Sequence, residues 1–367
     1  MVGNRTRPYG LISIMMPAYN AEKFVREAIE SVLAQSYPHW ELVIVNDGST
    51  DRTPEIISHY QDGRIKVYHQ ANRGEASARN TALEHATGEY LAFLDADDLY
   101  APGHLEAAIA FLQAYPEHGG VYTDGYYING NGERLRLLSS CRRGPFEGDI
   151  FEQMVRASDV FGPPVCVVLK TDIIARHGFQ FDSDIVIGPD WDFLIRYAQV
   201  AEFGYVDRAT CLYRLHQTNV SVRTAIQKRR LHLARCREKA IKLKRFSECS
   251  LETRAFVFYD LLVNLLSGLP ERQSDITRWP EFQGLPIALQ ARLFRRMASE
   301  ALSVGEEHPG IGEWLRLSRE LNPIDPKGVA LSMMYIAMPS LCRPLLKTSS
   351  QLRKMLFASL QNSPQAK

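Results

Sequence analysis

The first hundred residues alternate short apolar runs with stretches whose apolar residues recur at helical spacing. Leu11–Met16 is an apolar run stopped by Pro17, and it predicts a strand. Over 21–35, Phe24, Ala28, Val32 and Leu33 fall on one helical stripe. Strands are then expected over 41–45, 65–68 and 90–94, with helices over 53–60 and 75–85. Strands alternating with helices of this length imply βαβ units and a mainly parallel sheet, an α/β fold. Polar clusters follow three of the strands: Tyr19-Asn20, Asn46-Asp47-Gly48 and Asp95-Ala96-Asp97-Asp98. Ligands of open α/β sheets bind beyond the carboxyl ends of the strands, so the three clusters are expected on one rim.

The stretch 120–222 is less regular. Strand-like pieces at 120–124, 165–169, 204–206 and 211–215 mix with helical patterns near 149–156 and 191–200. They are expected to complete the sheet and wall the cleft. From about Thr224 helical patterns take over, and a boundary is placed at 222, dividing a catalytic-type domain, 1–222, from a helical region, 223–367.

Charge sharpens that division. The chain of 367 residues has a formal net charge of +1, yet residues 1–222 carry 19 Lys+Arg against 29 Asp+Glu, and 223–367 carry 24 against 13. Opposed halves suggest different partners. Lys228–Arg245 holds nine basic residues against Glu238 alone, interleaved with Leu231, Leu233, Ala234, Ile241 and Leu243. Such a helix suits an anionic membrane surface or a phosphate-bearing lipid acceptor. It suits equally a helix that packs on the acidic half. The tail over 339–360 repeats the pattern, while 362–367 reads as frayed. No nucleic-acid motif accompanies the charge, so nucleic acid is not expected as a partner.

The apolar content of 45% supports ordinary globular cores. The six cysteines lack metal-type spacing. With no apolar leader at the N-terminus, they are expected as reduced, buried thiols in a cytoplasmic protein, and the sequons at Asn4 and Asn219 as irrelevant. The most apolar stretch, 328–341, is 14 residues long and broken by Pro339, short of the ~20 a membrane span needs.

The chemistry concentrates in four places. Asp95, Asp97 and Asp98 crowd a strand end, where like charges demand a cation or donors. A hard divalent ion shared with substrate phosphates meets that demand; a helix N-cap is the bland alternative. Asp47, nearest its strand end, can accept hydrogen bonds from a base or ribose, whereas Ser49 and Asp51 can cap the helix after them. Arg73 and Arg79 suit a diphosphate, or else neutralise Glu75 and Glu84. Asp190, before Trp191-Asp192, can N-cap the helix that follows, and Asp192 can pair with Arg196 at i,i+4.

In order, Pro17-Ala18-Tyr19-Asn20, Val45-Asn46-Asp47-Gly48-Ser49-Thr50-Asp51, Asn72-Arg73-Gly74 with Ala78-Arg79-Asn80, and Leu94-Asp95-Ala96-Asp97-Asp98 resemble family 2 glycosyltransferases of the GT-A fold. The order and spacing match over about 11–105, and more loosely to 222. The resemblance implies that Pro17, Ala18, Tyr19, Asn20 and Asp47 hold the nucleotide, usually uridine, with Arg73 and Arg79 nearby. It further implies that Asp95 and Ala96 face the ribose side and that Asp97, Asp98 and His216 serve a Mg²⁺ or Mn²⁺ ion, Asp97 foremost. Asp190 falls on the general base of the family's Glu-Asp-x-Asp segment, although Pro189 stands where glutamate is common. The Q-x-x-R-W motif of processive synthases is missing, so transfer of one or a few sugars to a saccharide or lipid-linked acceptor is implied. A sugar-phosphate nucleotidyltransferase would open on a Gly-rich loop instead, and a catalytically inactive sugar-nucleotide-binding scaffold is the other alternative. The family's habit places such an enzyme in surface polysaccharide or glycolipid assembly, on the inner face of the membrane.

Overall fold

A computed structural model of the chain describes residues 8–266, 272–304, 308–337 and 346. It separates into two compact units, Met1–Phe246 and Ser247–Lys367.

The first unit runs β1 (Ile12–Ala18), α1 (Val25–Leu33), β2 (Trp40–Asp47), α2 (Thr53–Ser58), β3 (Ile65–Gln70), α3 (Glu75–His85), β4 (Tyr90–Phe93), β5 (Leu99–Tyr100) and α4 (His104–Ala114). It continues with β6 (His118–Ile128), β7 (Arg134–Leu137), α5 (Phe151–Arg156), β8 (Val167–Lys170), α6 (Thr171–His177), α7 (Pro189–Ala198), β9 (Glu202–Arg214), α8 (Val220–Arg223) and α9 (Ile226–Ile241). All nine strands form one sheet in the order β3-β2-β1-β4-β8-β6-β9-β5, with β7 on β6. The β3-β2-β1-β4 half is parallel throughout, as the alternation of strands and helices requires. Beyond it, β8 runs antiparallel to both β4 and β6, so the sheet is mixed and mostly parallel.

Pro17 does not stop β1 but lies inside it, opposite Val45 of β2. The β4 ladder ends at Met15, so the missing N–H of Pro17 costs no hydrogen bond on that side. The pieces expected at 204–206 and 211–215 are one strand, β9, whose ladder to β6 shifts register between Thr123 and Gly125. The core beneath the rim is apolar: Ile14, Met16, Val43, Val45, Leu91 and Phe93 are all buried.

By this division the expected boundary at 222 falls inside the first unit, where α9 packs on α7 and buries its own Ala234, Cys236, Ala240 and Ile241. The second unit is helical: α10 (Leu251–Leu266), α11 (Arg272–Ile276), α12 (Pro280–Gln283), α13 (Ile287–Val304), α14 (Ile311–Leu321) and α15 (Pro326–Ala337). Phe258, Leu262, Phe282, Phe294 and Met297 form its core. Among the described residues no helix is long and apolar enough to cross a membrane. The apolar stretch at 328–341 begins in α15, and its last four residues, the basic tail apart from Leu346, and Asn4 lie outside the described residues. Cys166, Cys211, Cys236 and Cys249 are buried free thiols, and Cys141 is free but exposed. Asn219 is buried, donating to the Arg214 carbonyl and accepting from the His216 N–H, so it is a loop clamp rather than a surface sequon.

Candidate active site

Strands β2, β1 and β4 are neighbours, so the loops at their carboxyl ends meet. The Asn20 side chain accepts from Thr50 N at 2.8 Å, and its own N–H donates to Ser49 Oγ at 3.0 Å. Asn20 does so at φ +49°, a left-handed conformation that asparagine tolerates. Asp51 takes the bland role considered for it: its carboxylate accepts from Thr53 N at the start of α2 and from Glu22 N. These bonds lock the Pro17–Asn20 and Asp47–Asp51 loops together and leave Ala18 buried and Tyr19 half exposed.

Asp47 ends β2 almost completely buried. One carboxylate oxygen accepts from Arg73 N at 2.9 Å and Gln70 Nε2 at 2.7 Å, and the other from Gly74 N at 2.8 Å. Asp47 therefore fixes the entry into α3. Gly48 permits this approach, because at φ +70° a Cβ would lie 2.7 Å from Asn72 N. The Arg73 side chain is exposed and donates to Gln70 Oε1 at 3.2 Å.

Arg79 is the reverse of a solvated arginine. Only 1% exposed, it donates to Asp95 Oδ1 at 2.7 Å and pairs with Glu75 Oε1 at 2.8 Å, close to the rings of Phe93 and Phe181. One cation thus serves two carboxylates. Burial pushes the Glu75 carboxyl up to about 7; Arg79 opposes this, and Asp95, Asp190 and Asp97 add to it. The folded state therefore holds this proton more tightly than the unfolded chain between pH ~4.5 and ~7. Stability from Glu75 is full below that window and is lost as pH rises through it. In metal-free protein, Glu75→Gln is expected to flatten the fall in Tm between those pH values, checked by thermal denaturation against pH.

The Asp95–Asp98 turn is closed by Asp98 N donating to Asp95 O. Asp97 Oδ2 lies 2.8 Å from His216 Nε2, and His216 Nδ1 lies 2.7 Å from Thr218 Oγ1. Asp98 points into the protein. Its carboxylate is fully buried, accepts from Arg214 N at 2.9 Å, and is held well above the usual range by burial and by Asp97 and Asp95. Arg214, also fully buried, underpins the turn: its guanidinium donates to Asp97 O at 2.8 Å and Glu27 Oε2 at 2.7 Å, and lies over the Phe24 ring.

The residues present fit a hard cation incompletely, as a substrate-completed site would. Asp97 and His216 offer one carboxylate oxygen and one imidazole nitrogen, separated by close to the ~3 Å edge of an octahedron with ~2.1 Å bonds. Thr218 holds the far imidazole nitrogen, the usual support of a ligating histidine. Among the described residues no group of three or more His, Cys, Asp or Glu could hold a metal ion. The remaining ligands would have to be donor phosphates and water.

Asp190 occupies the second position of α7, after Gly188 at φ +80° and Pro189, whose fixed φ suits a first turn. It caps nothing, and its carboxylate makes no hydrogen bond among the described residues. It is half-buried, and its charge acts on Glu75, Asp95 and Arg79, which joins it to the same cluster. Asp192 is structural, held by Arg196 at 2.7 Å and Lys239 Nζ at 2.8 Å. Sequence reasoning singled out neither Glu75, Phe24 nor Arg214 as a site residue. Only the position of Arg214 two residues before His216 signals it.

The family model described as glycosyl transferase family 2 matches residues 13–177. The chain resembles this family over that stretch. A glycosyltransferase of Rickettsia felis is 32% identical over 205 residues, 56% of this chain and 33% of that protein. The Escherichia coli UDP-Glc:alpha-D-GlcNAc-diphosphoundecaprenol beta-1,3-glucosyltransferase WfgD is 44% identical over 103 residues, 28% of this chain and 41% of that one. The chain thus spans between about a third and under half of these relatives. The crystal structure of S. aureus TarS 1-349 in complex with UDP-GlcNAc aligns with a TM-score of 0.56 at 18% identity, covering 89% of this chain and 91% of that one. That likeness places the fold among those of GT-A type.

Proposed function

We propose that the chain is an inverting, metal-dependent glycosyltransferase moving a sugar from a UDP-linked donor to a hydroxyl of a saccharide or lipid-linked acceptor. The observation that carries this is the meeting of the Asp47 loop, the Asp97–His216 pair and the unengaged Asp190 on one rim. Relatives named for a UDP-glucose donor and solved with UDP-GlcNAc support the donor class. In this reading Pro17–Asn20 and Asp47 shape the nucleotide pocket, Arg73 stands at its exposed edge, and Asp95 and Ala96 face the ribose. Arg79 acts through Asp95. Asp97 and His216 would hold Mg²⁺ or Mn²⁺, which when bound supplies Lewis-acid neutralisation of the leaving diphosphate. Asp98, buried under Arg214, shapes the turn instead of reaching the ion. Asp190 takes the proton from the acceptor hydroxyl as that oxygen attacks C1 opposite the leaving group, through an oxocarbenium-like transition state. One displacement inverts the anomeric centre. The acceptor of WfgD, a saccharide on diphosphoundecaprenol, supports a lipid-linked acceptor met at the inner face of the membrane, in surface polysaccharide or glycolipid assembly.

Calorimetric titration tests the reading. UDP is expected to bind more tightly with Mn²⁺ than without, and Asp97→Ala to erase that difference, a loss of about tenfold or more. Equal affinity with and without the ion in the wild type would refute the metal assignment.

A further inference from the structure

The basic run over 228–245 divides in two. Its second half is spent inside the first unit. Arg235 pairs with Asp182 and Asp184, Lys239 with Asp182 and Asp192, and Arg245 with Asp149. Arg237 is buried over Trp191, donating to the carbonyls of Val155 and Arg156. Arg235, Arg237 and Lys239 thus hold α9 to the rest of the first unit.

What precedes them behaves differently. Leu215, Val220, Val222 and Ile226 are 38%, 45%, 64% and 68% exposed, four large apolar side chains within twelve residues. Arg223, Lys228 and Arg229 are exposed among them and make no ion pair among the described residues. No acidic residue occurs between Asp207 and Glu238. Of the carboxylates on packed elements, Asp182 and Asp184 are engaged by Arg235 and Lys239, and Asp97 by His216. Exposed aliphatic side chains cost stability in water, and interleaved arginine and lysine match a surface that is both apolar and anionic. The patch starts at Leu215, adjacent to His216, which touches Asp97.

We propose that residues 215–229 dock the first unit on an anionic lipid surface. Leu215, Val220, Val222 and Ile226 enter the headgroup layer while Arg223, Lys228 and Arg229 pair with lipid phosphates. This rests on the reading of the rim as a transferase site, and deepens it: the rim is held where a lipid-linked hydroxyl is presented. The membrane-facing element is then the 215–229 segment, not the 228–245 helix that its composition suggests.

Sedimentation of the full chain with phosphatidylcholine vesicles, with and without phosphatidylglycerol, tests this. Binding is expected only with the anionic lipid. Val222→Ser with Ile226→Ser should weaken it by at least about tenfold. Replacing Arg223, Lys228 and Arg229 by Gln should weaken it by about fivefold per residue. Leu135→Ser, exposed on β7, should leave it unchanged, and every variant should keep its UDP-dependent rise in Tm. No binding to anionic vesicles, or binding that either multiple variant leaves intact, overturns the proposal. Loss of UDP stabilisation in the wild type would instead strike the transferase reading, leaving the vesicle result to stand alone.

Discussion

Asp190→Asn is expected to reduce kcat for sugar transfer by about 10²- to 10⁴-fold while leaving UDP affinity within a few-fold. The substitution keeps the side chain's shape and removes its basicity. It is unusually clean here, because Asp190 neither caps α7 nor bonds to any described residue, so no hydrogen bond is lost with the charge. Asp192, two residues on, gives the contrast. Its carboxylate holds Arg196 and Lys239, so Asp192→Asn should lower Tm before it touches chemistry. Release of UDP from the donor with a competent acceptor, measured beside UDP binding, separates the two. A kcat within a few-fold of wild type for Asp190→Asn would remove it as the base.

Arg79→Met is expected to cost about 3–5 kcal/mol of stability, seen as a lowered urea midpoint. The guanidinium is buried and shared by Glu75 and Asp95, and its removal leaves two partly buried carboxylates side by side without their counter-charge. Arg79→Lys should recover only part of the loss, since an ammonium cannot present the fork that meets two carboxylates at once. Adding Glu75→Gln to Arg79→Met should restore stability beyond the sum of the single effects, because it removes one of the stranded charges. Additive behaviour would mean that Glu75 and Arg79 are not coupled.

The parallel half of the sheet was legible because β1, β2 and β4 are mostly apolar runs and stretches free of Gly and Pro, such as α3, alternate with them. Helix α3 falls at its expected limits, 75–85. The other half was legible only in part: strands were expected within β6, β8 and β9, but not at β5 or β7. β5 has two residues and β7 four exposed ones, too short for a pattern, and Asp207-Arg208 interrupts β9 with polar residues on a bulged ladder. In the site, the polar clusters after β1, β2 and β4 announced themselves by breaking apolar runs. Arg214 did not, because its partners Asp98 and Glu27 are 116 and 187 residues distant. The sequence left Arg73 and Arg79 either to a diphosphate or to neutralising Glu75 and Glu84, and only the burial of Arg79 beside Phe93 and Phe181 shows the Glu75–Arg79 contact to be part of the site.

The central claim, a nucleotide-diphosphate donor site on this rim, is tested most directly by thermal denaturation of the full chain with UDP, GDP or dTDP, each with and without Mn²⁺. Ligands that bind the native state raise its apparent stability by mass action. The account predicts a rise in Tm with UDP that grows when Mn²⁺ is present and exceeds that of the other nucleotides. No rise with any nucleotide at millimolar concentration would contradict it.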